Sequence, residues 1–246
     1  MKLVKNQAQN SIDLYVYGEI VDEKWYESDV DSSDFRNAFE EMASGDTLNI
    51  YINSGGGSVF TAVAICSIID RLKAKGVTVN GFIDGISASA ATFITMACDS
   101  IVAYKSSMMM IHKPMSYAFG NADDLMKTVE TLNQIQTETM LPLYRSKAKV
   151  SDEEILDMVD AETWLSASDM EEVFDISIQD SSSEMVAMDR SLFKNYKNVP
   201  DALIDEPEDE NNPLDEGAEE IENEIDDAVP FDFSVYNAKL RLMKEV

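Results

Sequence analysis

The sequence predicts an α/β protein of repeated βαβ units around a mainly parallel sheet, followed by an acidic, disordered C-terminal tail. Three observations lead there. Alternating, β-rich runs recur between apolar-periodic helical runs; glycine-rich turns follow the strand ends; and from about Ser181 the periodicity gives way to acidic, proline-interrupted sequence. Strand–helix–strand order implies right-handed crossovers. No internal repeat is visible.

The elements follow in chain order. "DLYVYGEI", Asp13 to Ile20, alternates and reads as a strand. "DSSDFRNAFEEMASG" reads as a helix with Phe35, Ala38, Phe39 and Met42 on one face, Ser32 or Ser33 as its cap and Gly45 as its end. Thr47 to Asn53 is a second strand, then comes "SGGGS", then a helix from about Val59 to Lys75. "VTVNGFID" is a third strand, after which Gly85 turns the chain into a short helix through "SAATFITMA"; "SIVAY" and "MMMIH" are further short strands. A long helix spans "NADDLMKTVETLNQIQTETMLPLYRS", capped by Asn121 and striped by Leu125, Val129, Leu132 and Ile135. Two more helices are capped by Ser151 and Ser166. The division is a domain over 1–180 and a tail over 181–246, the tail ending in a short apolar helix within "FSVYNAKLRLMKEV".

Charge narrows the function. The net charge of −28 argues against nucleic acid and against an anionic membrane surface as partners. Asp201 to Asp227 holds fourteen Asp or Glu and no Lys or Arg, half of that charge. Cys66 and Cys98 sit in apolar runs, as buried thiols of a reducing compartment do, and no Cys/His cluster suggests a metal. No run approaches the ~20 apolar residues of a spanning helix. The N-terminus has no apolar signal-peptide core, so a cytoplasmic location is expected.

Three motifs carry chemistry. "INSGGGSV" is a glycine turn at a strand end, either structural or built to offer backbone N–H groups to an anion; it does not match GxxxxGK[ST]. "DGISASAATFI" puts Ser89 near the first turn of an apolar helix, where N–H groups lack intrahelical partners, although taken alone the motif fits better with Ser87 or Ser89 as a plain cap. His112, in "SSMMMIHKP", is the one histidine of the chain: a packed ring, or the base that a serine needs.

"INSGGGSVFTAVAI", "DGISASAA", "MMMIHKP" and "ETWLSASDMEE", in this order and spacing, resemble the ClpP peptidase family, and most nearly its phage and prophage head maturation proteases. The resemblance runs from Asp13 to Ile178. It implies a ClpP/crotonase-like fold with a protruding handle helix over Asn121 to Arg145, and a serine endopeptidase with no cofactor. Carried over, it makes Ser89 the nucleophile, His112 the base, titrating near neutrality, and Gly57 and Ala90 the oxyanion hole. An extended substrate would lie between Ser58, Val59 and Phe60 on one side and Met115, Ser116 and Tyr117 on the other. The triad acid falls by register on Glu162, where the family has Asp, with Asp160 in reserve on the same strand face. Gly55 stands where the family often has proline, and Phe174 where it usually has a helix-ending glycine.

The resemblance further implies a ring-forming homo-oligomer, protein or peptide substrates such as capsid precursors, and a bacterial host cytoplasm if the protein is phage-encoded. Any use of ATP would need a separate unfoldase, because no nucleotide motif is present. The tail is either a scaffold element or a solubilising linker. Two other readings are a non-catalytic capsid scaffold on this fold and an acyl-CoA enzyme of the crotonase type.

Overall fold

The sheet forms from β2 (Ser11–Tyr17), β3 (Thr47–Ser54), β4 (Thr78–Ala88), β5 (Ser100–Tyr104) and β8 (Ser177–Gln179), each parallel to the next, in a computed structural model that describes residues 2–6, 10–180, 196–200 and 203. Strand β1 (Lys2–Asn6) adds antiparallel at the β2 edge. Strand β6 (Met108–Ile111) pairs in parallel with the far end of β4, and β7 (Thr163–Leu165) pairs antiparallel with β6. The described residues all fall in the unit Met1–Ile204.

Alternation decides the faces. Leu14, Val16, Leu48, Ile50, Ile52, Val79 and Ile83 are buried, and α1 (Ser32–Glu41), α2 (Val59–Ala74) and α3 (Ala91–Ala97) belong to the same layered core through Phe35, Ile65, Ile69, Leu72 and Phe93. The opposite parity carries Tyr15, Tyr51 and Phe82, whose rings stack at 4.9 Å between successive strands.

Where strands and caps differ from expectation, the reason is local. The α1 cap is Asp31, with a capping box to Asp34, rather than Ser32 or Ser33; the helix stops at Met42, and Gly45 serves the following turn with φ +91°. Gly85 does not turn the chain. Strand β4 runs on through it to Ala88, and the glycine is there because a Cβ would lie 2.5 Å from Asn53 Oδ1. After β5 and β6 comes a helical rod: α4 (Ala122–Gln134), capped by Asn121, a π-helical turn (Ile135–Met140) and α5 (Leu141–Arg145). No residue of α4 is buried, and Leu125, Met126 and Val129 are exposed, as in a handle projecting from the core. Helices α6 (Asp152–Ala161) and α7 (Ala167–Val173) are capped by Ser151 and Ser166, as expected. Phe174 ends α7 in extended backbone at φ −127° and is itself fully buried.

The acidic stretch and the expected terminal helix lie outside the described residues. Tyr196, Val199 and Leu203, beyond the expected boundary at 180, pack against Ile86, Ala88 and Met110. Among the described residues no helix is long and apolar enough to cross a membrane.

Candidate active site

Ser89 sits on a sharp strand-to-helix bend. Strand β4 ends at Ala88, Ser89 takes the left-handed region at φ +53°, and Ala90 is the N-cap of α3. A non-glycine residue there costs roughly 1–3 kcal/mol and persists only where neighbours fix it. They do so here. Ser89 N donates to Met110 O at 2.9 Å, and the Ser89 carbonyl accepts from Thr92 N at 3.0 Å and from Thr92 Oγ1 at 2.5 Å. Because the Thr92 hydroxyl spends its proton on Ser89, the Tyr144 hydroxyl donates to Thr92 at 2.8 Å. Every residue of α3 is buried, so the bend stands on core.

Strand register supplies the histidine. Ala88 pairs with Met110 across β4 and β6, so Ser89 and His112 follow the ends of neighbouring strands. Ser89 Oγ lies 2.7 Å from His112 Nε2. The ring is buried, which lowers its pKa below the ordinary 6.5, while the charge of Glu162 opposes that shift.

The glycine loop completes this side. Gly56 and Gly57 have φ +99° and +138°. A Cβ on Gly56 would stand 2.7 Å from both Ala88 O and Ser89 Cβ, and one on Gly57 would strike the backbone of Ile20. The loop is strapped by Ile20 N to Gly56 O (2.8 Å) and Ser58 N to Ile20 O (2.7 Å). Among the described residues the N–H groups of Gly57 and Ala90 take no backbone acceptor. Gly57 lines the same cleft as Ser89, and Ala90 follows Ser89 directly in the chain.

The expected acids are placed differently. Strand β7 covers only Thr163–Leu165, and Glu162 is the left-handed C-cap of α6 at φ +52°. The β6–β7 ladder ends where Ile111 pairs with Thr163, one residue from His112 on one strand and from Glu162 on the other. Its Oε1, however, accepts from Lys197 N at 2.6 Å and Asn198 N at 2.7 Å. Asp160 lies on α6 rather than on a strand, so the shared-face reasoning fails for it. It pairs with Lys113 at 3.0 Å and accepts from Gln136.

A cleft of about 290 Å³ holds Ser89, His112, Gly55, Gly56, Gly57 and Tyr196. An adjoining groove of about 510 Å³ is lined by Ser58, Val59, Phe60, Met115 and Ser116 from the two expected substrate segments; Tyr117 stands outside it, 90% exposed. The Ser58 side chain caps α2 and donates to Asp22. Sequence reasoning missed Tyr144, Thr92 and Tyr196. The one signal for Tyr196 was an isolated aromatic in the polar run "KNYKNVP".

A Ser–His contact at the ends of adjacent strands, beside a glycine loop, thus sits in a protein of the α/β class built on a mainly parallel sheet. Residues 35–173 match the Clp protease family, and the chain belongs to that family. It is 34% identical over 91 residues to an ATP-dependent Clp protease proteolytic subunit of Pleurastrum terricola, covering 36% of this chain and 45% of that protein. It is 27% identical over 135 residues to the subunit of the same name from Bacteroides fragilis, covering 54% and 63%. The matches thus span about half of these relatives' lengths. The fold is that of a ClpP1 mutant from Listeria monocytogenes, with a TM-score of 0.56, 22% identity, and coverage of 69% of this chain and 92% of that one.

Proposed function

We propose that the chain is a serine endopeptidase in which Ser89 attacks the scissile carbonyl and His112 moves the proton. The observation that carries this is the 2.7 Å contact between Ser89 Oγ and His112 Nε2 at a strained bend. Nε2 takes the hydroxyl proton as Oγ bonds to the carbonyl carbon. The oxyanion so formed is met by the N–H groups of Gly57 and Ala90. Nε2 then gives its proton to the leaving amine, the C–N bond breaks and an acyl-serine ester remains. Water, deprotonated by the same nitrogen, hydrolyses the ester and restores Ser89. Burial of His112 favours the neutral ring, the form a base must have. Glu162 favours the imidazolium that each proton transfer creates. The substrate lies extended in the groove between Val59–Phe60 and Met115–Ser116.

We infer that it works as a ring-forming homo-oligomer, which the exposed Leu125, Met126 and Val129 of α4 support, and that its substrates include phage capsid or scaffold precursors, which the motif likeness to head maturation proteases and the acidic tail support. The chemistry is complete without a metal or cofactor, and ATP-driven unfolding would fall to a separate protein.

Ser89→Ala tests the proposal: it should abolish fluorophosphonate labelling and peptide cleavage with the fold intact by circular dichroism. Labelling of Ser89→Ala at the wild-type rate would overturn it.

A further inference from the structure

Tyr196 lines the cleft, yet the proposed reaction does not use it. Its ring stands edge-on to His112 at 5.2 Å between centroids and to Trp164 at 6.1 Å. Its hydroxyl donates to the Gly55 carbonyl at 2.6 Å. A half-buried phenol is served by such an acceptor. The chain beyond it is fastened by Lys197 N and Asn198 N on Glu162 Oε1, and by Asn198 Nδ2 on Ala161 O at 2.8 Å. Val199 and Leu203 then cover Ile86, Ala88 and Met110. An aromatic anchor in a pocket, with backbone amides on a fixed acceptor beside it, is how a peptide segment is recognised.

We propose that the cleft contains an aromatic subsite, bounded by the Gly55 carbonyl, the His112 ring and Trp164, that binds a peptide segment with a tyrosine followed by two backbone amides for Glu162, and that residues 196–200 of the same chain fill it. The proposal rests on reading Ser89 and His112 as the catalytic pair. The open groove stops short of Tyr196, and the ring is part of the cleft wall beside His112, so a peptide segment that takes the Gly55 carbonyl and the His112 ring edge must displace it. Docking also engages Glu162, the carboxylate whose charge acts on His112, and release of the segment frees its Oε1 from those two amides. Apparent activity is reduced by the fraction of molecules in which the segment is docked.

The test uses the full chain and two readouts. In hydrogen exchange, the amides of Lys197 and Asn198 should be protected relative to a free peptide of residues 196–200, and Tyr196→Ala should remove that protection. Fluorophosphonate should label Ser89 roughly tenfold or more faster in Tyr196→Ala than in wild type. Added 196–200 peptide should slow Tyr196→Ala again, and the same peptide with alanine for its tyrosine should not. Unprotected amides in the wild-type chain overturn the proposal whatever the activity. Protected amides with equal labelling rates overturn the occlusion and leave the peptidase reading standing. If neither protein is labelled, the peptidase reading falls, and the exchange result alone decides the subsite.

Discussion

The two sides of the Ser89–His112 contact are built by different means. On the Ser89 side, geometry comes from the backbone nearby: a parallel pairing, a left-handed bend, and a glycine loop that a Cβ would break. On the Glu162 side, a carboxylate whose charge reaches His112 is engaged by amides 35 and 36 residues further along. Backbone-set positions survive changes elsewhere in the chain, whereas a side chain held by a distant segment changes partner when that segment moves. Substitutions should therefore cost most on the first side and act mainly as adjustments on the second.

The largest effects are expected at the pair itself. Ser89→Ala or His112→Ala should lower kcat/KM for a peptide by on the order of 10⁴ or more, and the double variant should be little worse, because the two act as one unit. Next is Gly56→Ala. Its new Cβ would meet Ala88 O and Ser89 Cβ at 2.7 Å, so Ser89 or the loop must shift. A drop of roughly 100-fold or more in acylation rate is expected, the effect of a misplaced oxyanion donor. A wild-type rate would show that the loop does not set the site.

Smaller again is Tyr144→Phe. It removes the donor to Thr92 Oγ1 and leaves the Thr92 bond to the Ser89 carbonyl in place. Chemical denaturation should show a loss of about 1–1.5 kcal/mol, with acylation changed by only a few-fold.

The smallest effect is on pH dependence. Burial holds the His112 pKa below 6.5 and Glu162 pushes back, so the acid limb of kcat/KM should lie below 6.5. In a Tyr196→Ala background, Glu162→Gln removes the charge that favours imidazolium and should move that limb further toward acid, by less than about one unit. A limb moving toward neutrality would contradict the sign. The same shift bears on stability. The neutral ring is favoured in the folded state, so this group costs no stability above 6.5 and lowers it as pH falls from 6.5 through the folded value.

Legibility from sequence follows the same division. Alternation in β2 and β3 and the caps at Asn121, Ser151 and Ser166 rest on short-range pattern, and the geometry agrees with them; motif spacing singled out Ser89 and His112, whose side chains lie 2.7 Å apart. Gly85 was misread because a glycine in a strand looks like a turn until its neighbour, Asn53, is known. Asp31 lost to Ser32 and Ser33 as the expected cap because all three are good caps and only the chain's entry angle selects one. Strand β8, three residues long, offers too little pattern to detect, and the engagement of Glu162 depends on a segment with no periodicity at all.

The most direct measurement is mass-spectrometric mapping of the adduct after brief fluorophosphonate treatment of the full chain. The expected result is a single modification on the peptide carrying Ser89, formed in wild type and lost in His112→Ala. Modification of another serine, or equal modification of Ser89 without the imidazole, would contradict the assignment of Ser89 and His112 as nucleophile and base.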